Sequence, residues 1–364
     1  MKGAWLLLWA ASINAWGQAA LTGPRFEAES LRVSSFLDGH LVSDEKAMVA
    51  HAQATAHTLA QTRIRISVPV PFVDSAWQVG AFTDSQAWVM GDSVRALAFF
   101  NNQQVASQNA SYGFDVQSQS IRRTGVTLAT SWEMALPQAF ALQLATQVKY
   151  FSVDEFKASH VRGSLTETVA GAVGLQAQTV EQHLGGQSLF VKPERVLGYG
   201  LALDAALKLV NGRGSHVTLA VEDLGPAITL PSVLRTSQNA NTQTVSYDTN
   251  GYIHFAPLLT GQYAIERLQV VFAPTWSTAW VWQLRPGLHV LASAQTTQTV
   301  QQVSAGLTMS AMGQLFTGKI HGGKELPASL ELAWTSKHIA LAWRADALSP
   351  HQARVWGVAA SLHY

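Results

Sequence analysis

Alternation of apolar with small or polar residues constrains this chain more than any other feature. In the segment ARVWGVAASLHY, one series of alternate residues consists of Trp356, Val358, Ala360, Leu362 and Tyr364. The interleaved residues are small or polar, apart from Val355. A repeat of two is that of a β-strand, because successive side chains point to opposite faces. We therefore expect a last strand with one apolar face and an aromatic residue at each end.

The same alternation recurs after residue 60. It is clear at 62–70, 125–134, 140–150, 199–209, 217–222, 267–272, 280–288, 303–309, 330–334 and 338–343, and weaker at 76–82, 315–320 and within 26–33. With the last strand, this predicts about fourteen strands, within a range of 12 to 16.

Short and long connections alternate strictly between these strands. Short ones lie near 71–75, 135–137, 211–214, 273–275, 310–313 and 335–337, and long ones cover 83–120, 151–195, 225–262, 291–301, 321–328 and 345–352. Short turns at one end and long loops at the other are typical of outer-membrane barrels. The sequence therefore predicts an all-β, antiparallel, up-and-down transmembrane β-barrel. The alternative is a soluble secreted β-protein with a large buried sheet.

Composition agrees with a surface that is partly out of water. Charged residues make up 13% of the chain, about half of the ~25% usual in soluble domains. The formal net charge is +1 and no block of Lys or Arg occurs, so we expect no nucleic-acid partner. There is no Cys, as is common in exported proteins.

The N-terminal residues predict export. Lys2 precedes the apolar run AWLLLWAASINAW and a group of small residues, which is the pattern of a signal peptide over 1–19. The run is short for a membrane anchor, which needs ~20 apolar residues. We expect an N-terminal segment at 20–61, with a short helix at 43–61 and a candidate first strand, and the barrel at 62–364. The expected location is the outer membrane.

Aromatic residues stand at both ends of the predicted strands. Two aromatic rings at headgroup level are expected of a barrel in a bilayer. The predicted interface residues are Trp132, Trp276, Trp334 and Tyr364 beside the short turns, and Tyr150, Tyr199, Trp343 and Trp356 beside the long loops.

The opposite faces of the strands carry a mixed set of polar and charged residues. We expect these side chains to face the barrel lumen, either paired in a structural network or as a selectivity lining. They are Arg63, Arg65, Glu133, Gln143, Lys149, Asp204, Lys208, Glu222, Arg267, Arg285, Glu331 and Arg344.

No pattern in the sequence predicts catalysis. The motifs H-E-x-x-H and G-x-S-x-G are absent. His51 and His57 lack the i,i+4 spacing that suits a shared metal ion, and His183, His321 and His351 are expected to be solvated in loops. We predict no enzyme activity, cofactor or metal.

Four stretches resemble a known family, the TraF-like conjugal-transfer outer-membrane proteins, relatives of the long-chain fatty acid transporter (FadL-like) barrels. The stretches are RISVPVPF with AWQVGAF, RRTGVTLATSWEM through FALQLATQVKYFSVDEF, GYGLALDAALKL with HVTLAVEDLGP, and LELAWTSKHIALAW with the last strand. The match is one of spacing and residue character.

Two functions follow from these observations. The first is envelope transport of a small hydrophobic or amphipathic solute through the barrel. The second, which the TraF-like resemblance implies, is a structural or assembly role in a conjugation or secretion apparatus without pore activity. The expected partners are outer-membrane lipid, the barrel-assembly machinery and envelope apparatus proteins.

The export prediction has a direct test. The mature protein should begin near Ala20 and should migrate differently on gels before and after heating, because a folded barrel resists detergent. N-terminal sequencing of the purified protein checks the cleavage site, and recovery of Met1 or of soluble periplasmic protein would contradict the prediction.

Overall fold

The computed structural model describes thirteen segments of the chain, to which every structural statement here refers. They are residues 24–34, 56–70, 77–91, 111–167, 173–186, 196–225, 228–241, 245–247, 253–255, 258–297, 301–323, 326–346 and 355–363. The predicted signal peptide at 1–19 lies outside them.

The described residues form β-strands and one three-residue 3-10 turn, Pro137–Ala139. The strands are β1 (Arg25–Ser34), β2 (Ala56–Pro69), β3 (Trp77–Gly91), β4 (Ser111–Leu136), β5 (Phe140–Glu167), β6 (Val173–Leu184), β7 (Gly198–Asn211), β8 (His216–Leu224), β9 (Ile228–Asn241), β10 (Val245–Tyr247), β11 (Ile253–Phe255), β12 (Leu258–Val270), β13 (Thr275–Arg285), β14 (Leu288–Thr296), β15 (Gln301–Ala311), β16 (Gln314–Gly323), β17 (Leu326–Thr335), β18 (Ile339–Ala345) and β19 (Val355–His363). Seventeen of them belong to one sheet, and β10 pairs with β11 alone.

The sheet closes on itself. Antiparallel pairing runs from β1 through β2, β3, β4, β5, β7 and β8 to β13, and then through β14 to β19, which returns to β1. Within the described segments, fourteen strands therefore form the ring. The predicted all-β, antiparallel, closed barrel is confirmed.

The first described strand closes the ring. Arg25 in β1 lies opposite His363 of β19 on one side and Ser67 of β2 on the other. The barrel therefore begins at Arg25 and not at residue 62. The predicted helix is wrong for 56–61, which belong to β2, and its remainder at 43–55 lies outside the described residues.

One predicted hairpin is wrong. The short turn expected at 273–275 is absent, because the antiparallel pairings of β12 with β9 and of β13 with β8 make β12 and β13 run in the same direction on either side of 271–274. The turn lies instead at Pro286 and Gly287, where Gly287 has φ +81° and its carbonyl accepts a bond from the Ser310 amide. Glycine adopts this left-handed conformation without strain. The next strand, β14, occupies part of a predicted loop.

One side of the barrel rises far above the other. β4 and β5 have 26 and 28 residues, whereas β18 has seven. Above the ring, the upper part of β5 pairs with β6, β6 with β9, and β9 with β12. Strand therefore fills much of the long connections predicted at 83–120, 151–195 and 225–262.

The two faces of the ring differ in polarity. Apolar side chains at alternate positions point outward and are exposed, as at Ile66, Val126 and Leu219. The intervening residues are mostly buried and largely polar. The outward belt comprises Ile64, Ile66, Val68, Val79, Val126, Leu128, Val148, Leu201, Leu207, Leu209, Val217, Leu219, Leu284, Val303, Leu307, Ile320, Leu330, Leu332, Leu341 and Val358. An exposed apolar belt around a closed barrel is the surface that a bilayer covers.

The described residues contain no helical counterpart to this apolar belt. In the described segments, no helix is long and apolar enough to cross a membrane.

The belt has a sharp upper edge on β4, and a charge placed below and above it should reveal that edge. Leu128 is an exposed residue of the belt. Ser118 lies above the belt on the same face, because it is an even number of residues away along a stretch of β4 that pairs regularly with β3. Leu128→Arg should lower the free energy of unfolding by about 2–4 kcal/mol, whereas Ser118→Arg should change it by less than ~1 kcal/mol. Urea unfolding in lipid vesicles measures both. Equal losses would show that Leu128 does not face lipid.

Candidate functional site in the barrel lumen

Seven charged side chains from six strands meet inside the barrel. We call this group the charge layer: Arg63 of β2, Asp84 of β3, Arg123 of β4, Lys149 of β5, Asp204 of β7, and Glu222 and Asp223 of β8. The first five are at most 4% exposed. Charges removed from water this completely must be paired to be tolerated.

Arg123 is the centre of the charge layer. Its Nε and Nη2 donate to the two carboxylate oxygens of Asp84, at 2.8 and 2.7 Å. The same Nη2 donates to Asp223 at 3.0 Å. A planar guanidinium fits a carboxylate through two parallel bonds, which fixes orientation as well as charge. Arg123 therefore connects β3, β4 and β8.

An ion pair crosses the lumen from Arg63 to Glu222. The Arg63 Nη1 lies 3.3 Å from a Glu222 carboxylate oxygen, and its Nε lies 3.8 Å from Asp84. Their strands, β2 and β8, are separated in the ring by β3, β4, β5 and β7. Side chains that touch across this distance occlude the lumen at this level.

Asp223 enters the charge layer because β8 is irregular. The pairing of β7 with β8 shifts between Leu203 and Ala205, and Asp223 has φ +56°. Consequently both Glu222 and Asp223 reach the charge layer, although neighbours on a regular strand point to opposite faces. Asp223 accepts a bond from Lys149 at 2.9 Å, and its amide donates to Asp204 at 2.9 Å.

A second buried cluster lies on β15 to β18. His321 and Glu331 are fully buried and 3.0 Å apart. Gln302 bonds the other nitrogen of His321 at 2.8 Å and accepts from Arg344 at 3.2 Å. Lys319 lies 3.7 Å from Glu331. We call these residues the histidine cluster. The prediction of a solvated loop His at 321 is wrong, because β16 extends to Gly323.

The charges of the two groups balance. Together they hold five cationic side chains and five carboxylates, with His321 counted as neutral: Arg63, Arg123, Lys149, Lys319 and Arg344, against Asp84, Asp204, Glu222, Asp223 and Glu331. Balanced and paired charges stabilise a fixed arrangement, whereas a selectivity lining carries an excess of one sign facing water.

An apolar cluster adjoins the charge layer, mostly on the long-connection side. We call it the lumen core: Phe82, Ile121, Phe151, Val153, Phe156, Leu184, Ala202, Ile228, Leu230 and Val233. Phe82 and Phe151 pack edge to face, with ring centroids 6.2 Å apart. The Arg123 guanidinium lies 5.2 Å from the centre of the Phe151 ring, a distance at which a cation is attracted to the ring. The two groups are thus in contact.

A small cavity adjoins the charge layer on the short-turn side. Its volume is about 50 Å³, room for a few water molecules. Arg25, Arg65, Gln78, Gln147 and Asp204 are among its lining residues.

The residues predicted to face the lumen lie in several different places. Arg63, Lys149, Asp204 and Glu222 belong to the charge layer, and Glu331 and Arg344 belong to the histidine cluster. Arg65 lines the cavity, Lys208 is 4% exposed, and Gln143 donates to Glu133 at 3.3 Å near the Pro137–Ala139 turn. Arg285 is exposed at the end of β13. The prediction for Arg267 is wrong, since it is exposed on β12, which is not a ring strand.

The sequence analysis missed Asp84, Arg123, Asp223, Lys319 and His321. Asp84 was assigned to the long connection at 83–120, and Arg123 lay between that connection and the strand predicted at 125–134. Alternation nevertheless continues in the segment FTDSQAW, where Phe82, Asp84 and Trp88 share a face. That continuation was a usable signal. Asp223 had none, because its inward position depends on the irregular backbone of β8.

Most predicted interface aromatics lie on the outer surface. Trp132, Tyr150 and Tyr199 are about half exposed, Trp343 and Trp356 are half-buried, and the half-buried Trp334 indole donates to Gln314 at 2.9 Å. Tyr364 lies outside the described residues.

The predicted position of Trp276 beside a short turn is wrong. It is exposed but lies at the end of β13 away from the Pro286–Gly287 turn, because the hairpin was assigned to the wrong place. Trp282, 71% exposed, is the aromatic residue near that turn.

The fold and its apolar belt define a transmembrane β-barrel with an occluded lumen. No family model and no curated protein matches the sequence. Solved structures that match include the "TodX deltaS2S3 mutant monoaromatic hydrocarbon channel", with 7% identity and a TM-score of 0.44 over 96% of this chain and 94% of that one.

Two further matches are the translocator domain of the autotransporter NalP from Neisseria meningitidis and the siderophore receptor PirA from Pseudomonas aeruginosa. The first has 8% identity and a TM-score of 0.30, over 100% of this chain and 97% of the other. The second has 9% identity and a TM-score of 0.22, over 93% and 80%. The class of this protein follows from the strand pairing and the apolar belt of the chain itself.

Two adjacent arginines test the charge layer. Arg123→Met leaves Asp84 and Asp223 buried without their main cation, and should lower the free energy of unfolding by about 3–5 kcal/mol. Arg122→Met is the matched control, because Arg122 is exposed and pairs with the exposed Asp154 at 2.9 Å; its loss should be within ~1 kcal/mol. Denaturant unfolding in vesicles compares them, and similar losses would mean that the buried pairs contribute no more than surface pairs.

Proposed function

We propose that this protein is an outer-membrane barrel that passes a small amphipathic solute through a lumen held closed at rest by its own wall side chains. The Arg63–Glu222 ion pair across the lumen carries the proposal. It closes the lumen with side chains, which rearrange far more readily than a folded plug domain.

The belt supports the proposed location. A closed barrel satisfies every backbone group of its wall internally, which is what a span through hydrocarbon requires. Transmembrane barrels of this antiparallel kind belong to outer membranes, and the predicted signal peptide supports export.

The order of the lining supports an amphipathic solute. From the short turns, a solute meets the polar cavity with Gln78 and Gln147, then the charge layer, and then the part of the lumen core that holds Phe151 and Phe156. Apolar and polar groups in sequence suit a molecule with both characters, whereas an ion would meet an apolar barrier at the core.

The second candidate is a structural component of a TraF-like envelope apparatus. The balance of charges favours it, because the charge layer and the histidine cluster tie the strands of the wall together without an excess of either sign. A barrel that only anchors partners needs such rigidity and no passage.

Reconstitution distinguishes the two functions. We expect low ion conductance for the native barrel in planar bilayers, and uptake of 4-nitrobenzenesulfonate into liposomes above that of glucose. Arg63→Ala combined with Glu222→Ala should raise both conductance and uptake, because it removes the cross-lumen pair together with both of its charges.

The matched control removes an exposed pair. Arg122→Ala combined with Asp154→Ala should leave conductance and uptake at the native level. A cross-lumen variant that folds but passes neither ions nor solute would overturn the transport proposal and leave the structural one.

A further inference from the structure

We propose that the cavity beside the charge layer is a binding subsite for the uncharged hydrogen-bonding end of the solute, a carboxamide or a hydroxyl group. Its described lining residues belong to β1, β2, β3, β4, β5 and β7. This inference rests on the proposed function, because it names the kind of polar group that an amphipathic solute brings to the lumen.

Small residues of the wall leave the room for a ligand. Gly80 lies between Ser67 and Thr127 in the register of β2, β3 and β4, and a Cβ on Gly80 would lie 2.7 Å from the Thr127 hydroxyl oxygen. Ala129 and Ala145 continue the lining on β4 and β5. The cavity volume is about 50 Å³. It therefore admits a group of roughly three to five non-hydrogen atoms, as many as the water molecules that it can hold.

The charges that line the cavity cancel. Arg25 and Arg65 line it together with Glu27 and Asp204, which gives two charges of each sign. Arg25 forms an ion pair with Glu27, and Asp204 pairs with Lys149 at 2.7 Å. An ionic ligand of either sign would leave water for a site that offers it no net counter-charge, which is costly. An uncharged ligand does not meet this cost.

The lining offers hydrogen bonds of both kinds to an uncharged group. The amides of Gln78 and Gln147 carry donors and acceptors, and neither has a partner among the described side chains. The Nε of Arg25 is buried and has no hydrogen-bonding partner within the described residues. A buried donor without a partner is costly, so a ligand that brings an acceptor oxygen supplies a missing bond. Carboxamides and hydroxyl groups bring both an acceptor and a donor.

Three small compounds of nearly equal shape separate the classes of ligand. Acetamide is uncharged, acetate is an anion, and acetamidinium is a cation near neutral pH. We expect acetamide to bind in the cavity and each of the two ions to bind about tenfold more weakly or worse, because the lining leaves them without a counter-charge.

Cysteine labelling measures this binding independently of transport, because the chain has no native Cys. Ser67→Cys places a thiol of similar size in the lining, where the small uncharged reagent methyl methanethiosulfonate should modify it. Acetamide at twice its dissociation constant should slow the reaction about threefold, since the occupied fraction of the site follows from mass action. Acetamide should not change the rate for Ser277→Cys, a half-buried position on β13 outside the described lining.

Two glutamines of β5 test the role of the lining. Gln147→Leu removes one amide from the cavity and should raise the dissociation constant of acetamide about tenfold, the effect of losing one hydrogen bond in a buried site. Gln143→Leu is the matched control, because Gln143 lies on the same strand, donates to Glu133 and is not among the described lining residues. It should leave the dissociation constant unchanged.

Solute flux separates failure of the subsite from failure of the proposed function. Protection of Ser67→Cys by acetamide, in a barrel whose cross-lumen variant passes neither ions nor solute, would support the subsite and overturn the transport proposal. Absence of protection in a folded barrel would overturn the subsite whatever the flux. Failure of the reagent to modify Ser67→Cys would also overturn it, because the cavity would then exclude molecules of this size. Equal protection by acetate or acetamidinium would overturn the choice of an uncharged ligand.

A second position keeps the inference testable if Ser67→Cys does not fold. Ala145→Cys places the thiol on β5, on the part of the lining three strands away from β2 in the ring. Acetamide should protect this thiol to the same extent. A folded Ala145→Cys barrel whose labelling rate acetamide leaves unchanged would contradict the subsite.

Discussion

Closure of the sheet is the constraint on which the rest of this structure depends. A strand in hydrocarbon has no water to bond its backbone, so both of its edges must find a neighbouring strand. The ring meets this condition because β1 lies between β19 and β2. Once the ring is closed, alternate side chains must face either lipid or an enclosed interior, and the apolar belt and the polar lumen both follow from that division.

The enclosed interior is narrow enough that its charges meet. Arg122 and Arg123 illustrate the effect, because they are neighbours of identical chemistry on β4. Arg122 points outward and pairs with an exposed carboxylate, whereas Arg123 points inward and is 4% exposed among two carboxylates and the Phe151 ring. A shift of one position along β4 thus moves an arginine from an exposed ion pair, which contributes little to stability, into a buried network whose loss is costly.

The sequence was sufficient to predict which way the side chains of a strand face, but not where the strands begin and end. Alternation predicted that Lys149 and Asp204 face inward, since that pattern is local. The turn at Pro286–Gly287 was missed because the segment WVWQLRPGL alternates across it, and the strands above the belt were read as loops because their faces are both polar. Register fixes these features, and register depends on partners distant in sequence.

The charge layer was half predictable for a similar reason. Arg63, Lys149, Asp204 and Glu222 follow from alternation alone. Asp223 does not, because its inward position comes from a shift in the pairing of β7 with β8. Nor does alternation indicate that Arg63 would meet Glu222, since contact across a lumen depends on how many strands close the ring.

The seam between β1 and β19 has a consequence for the order of folding. Every other neighbouring pair in the ring joins strands closer in sequence, mostly successive ones, so each of those pairs closes a shorter loop at a smaller loss of chain entropy. The seam joins the two strands most distant in sequence, and such a contact is slow to form by itself. Assembly therefore passes through an open, curved sheet whose two free edges are templates for aggregation until they meet. Whatever holds those edges during insertion therefore acts on the two strands of this seam, β1 and β19.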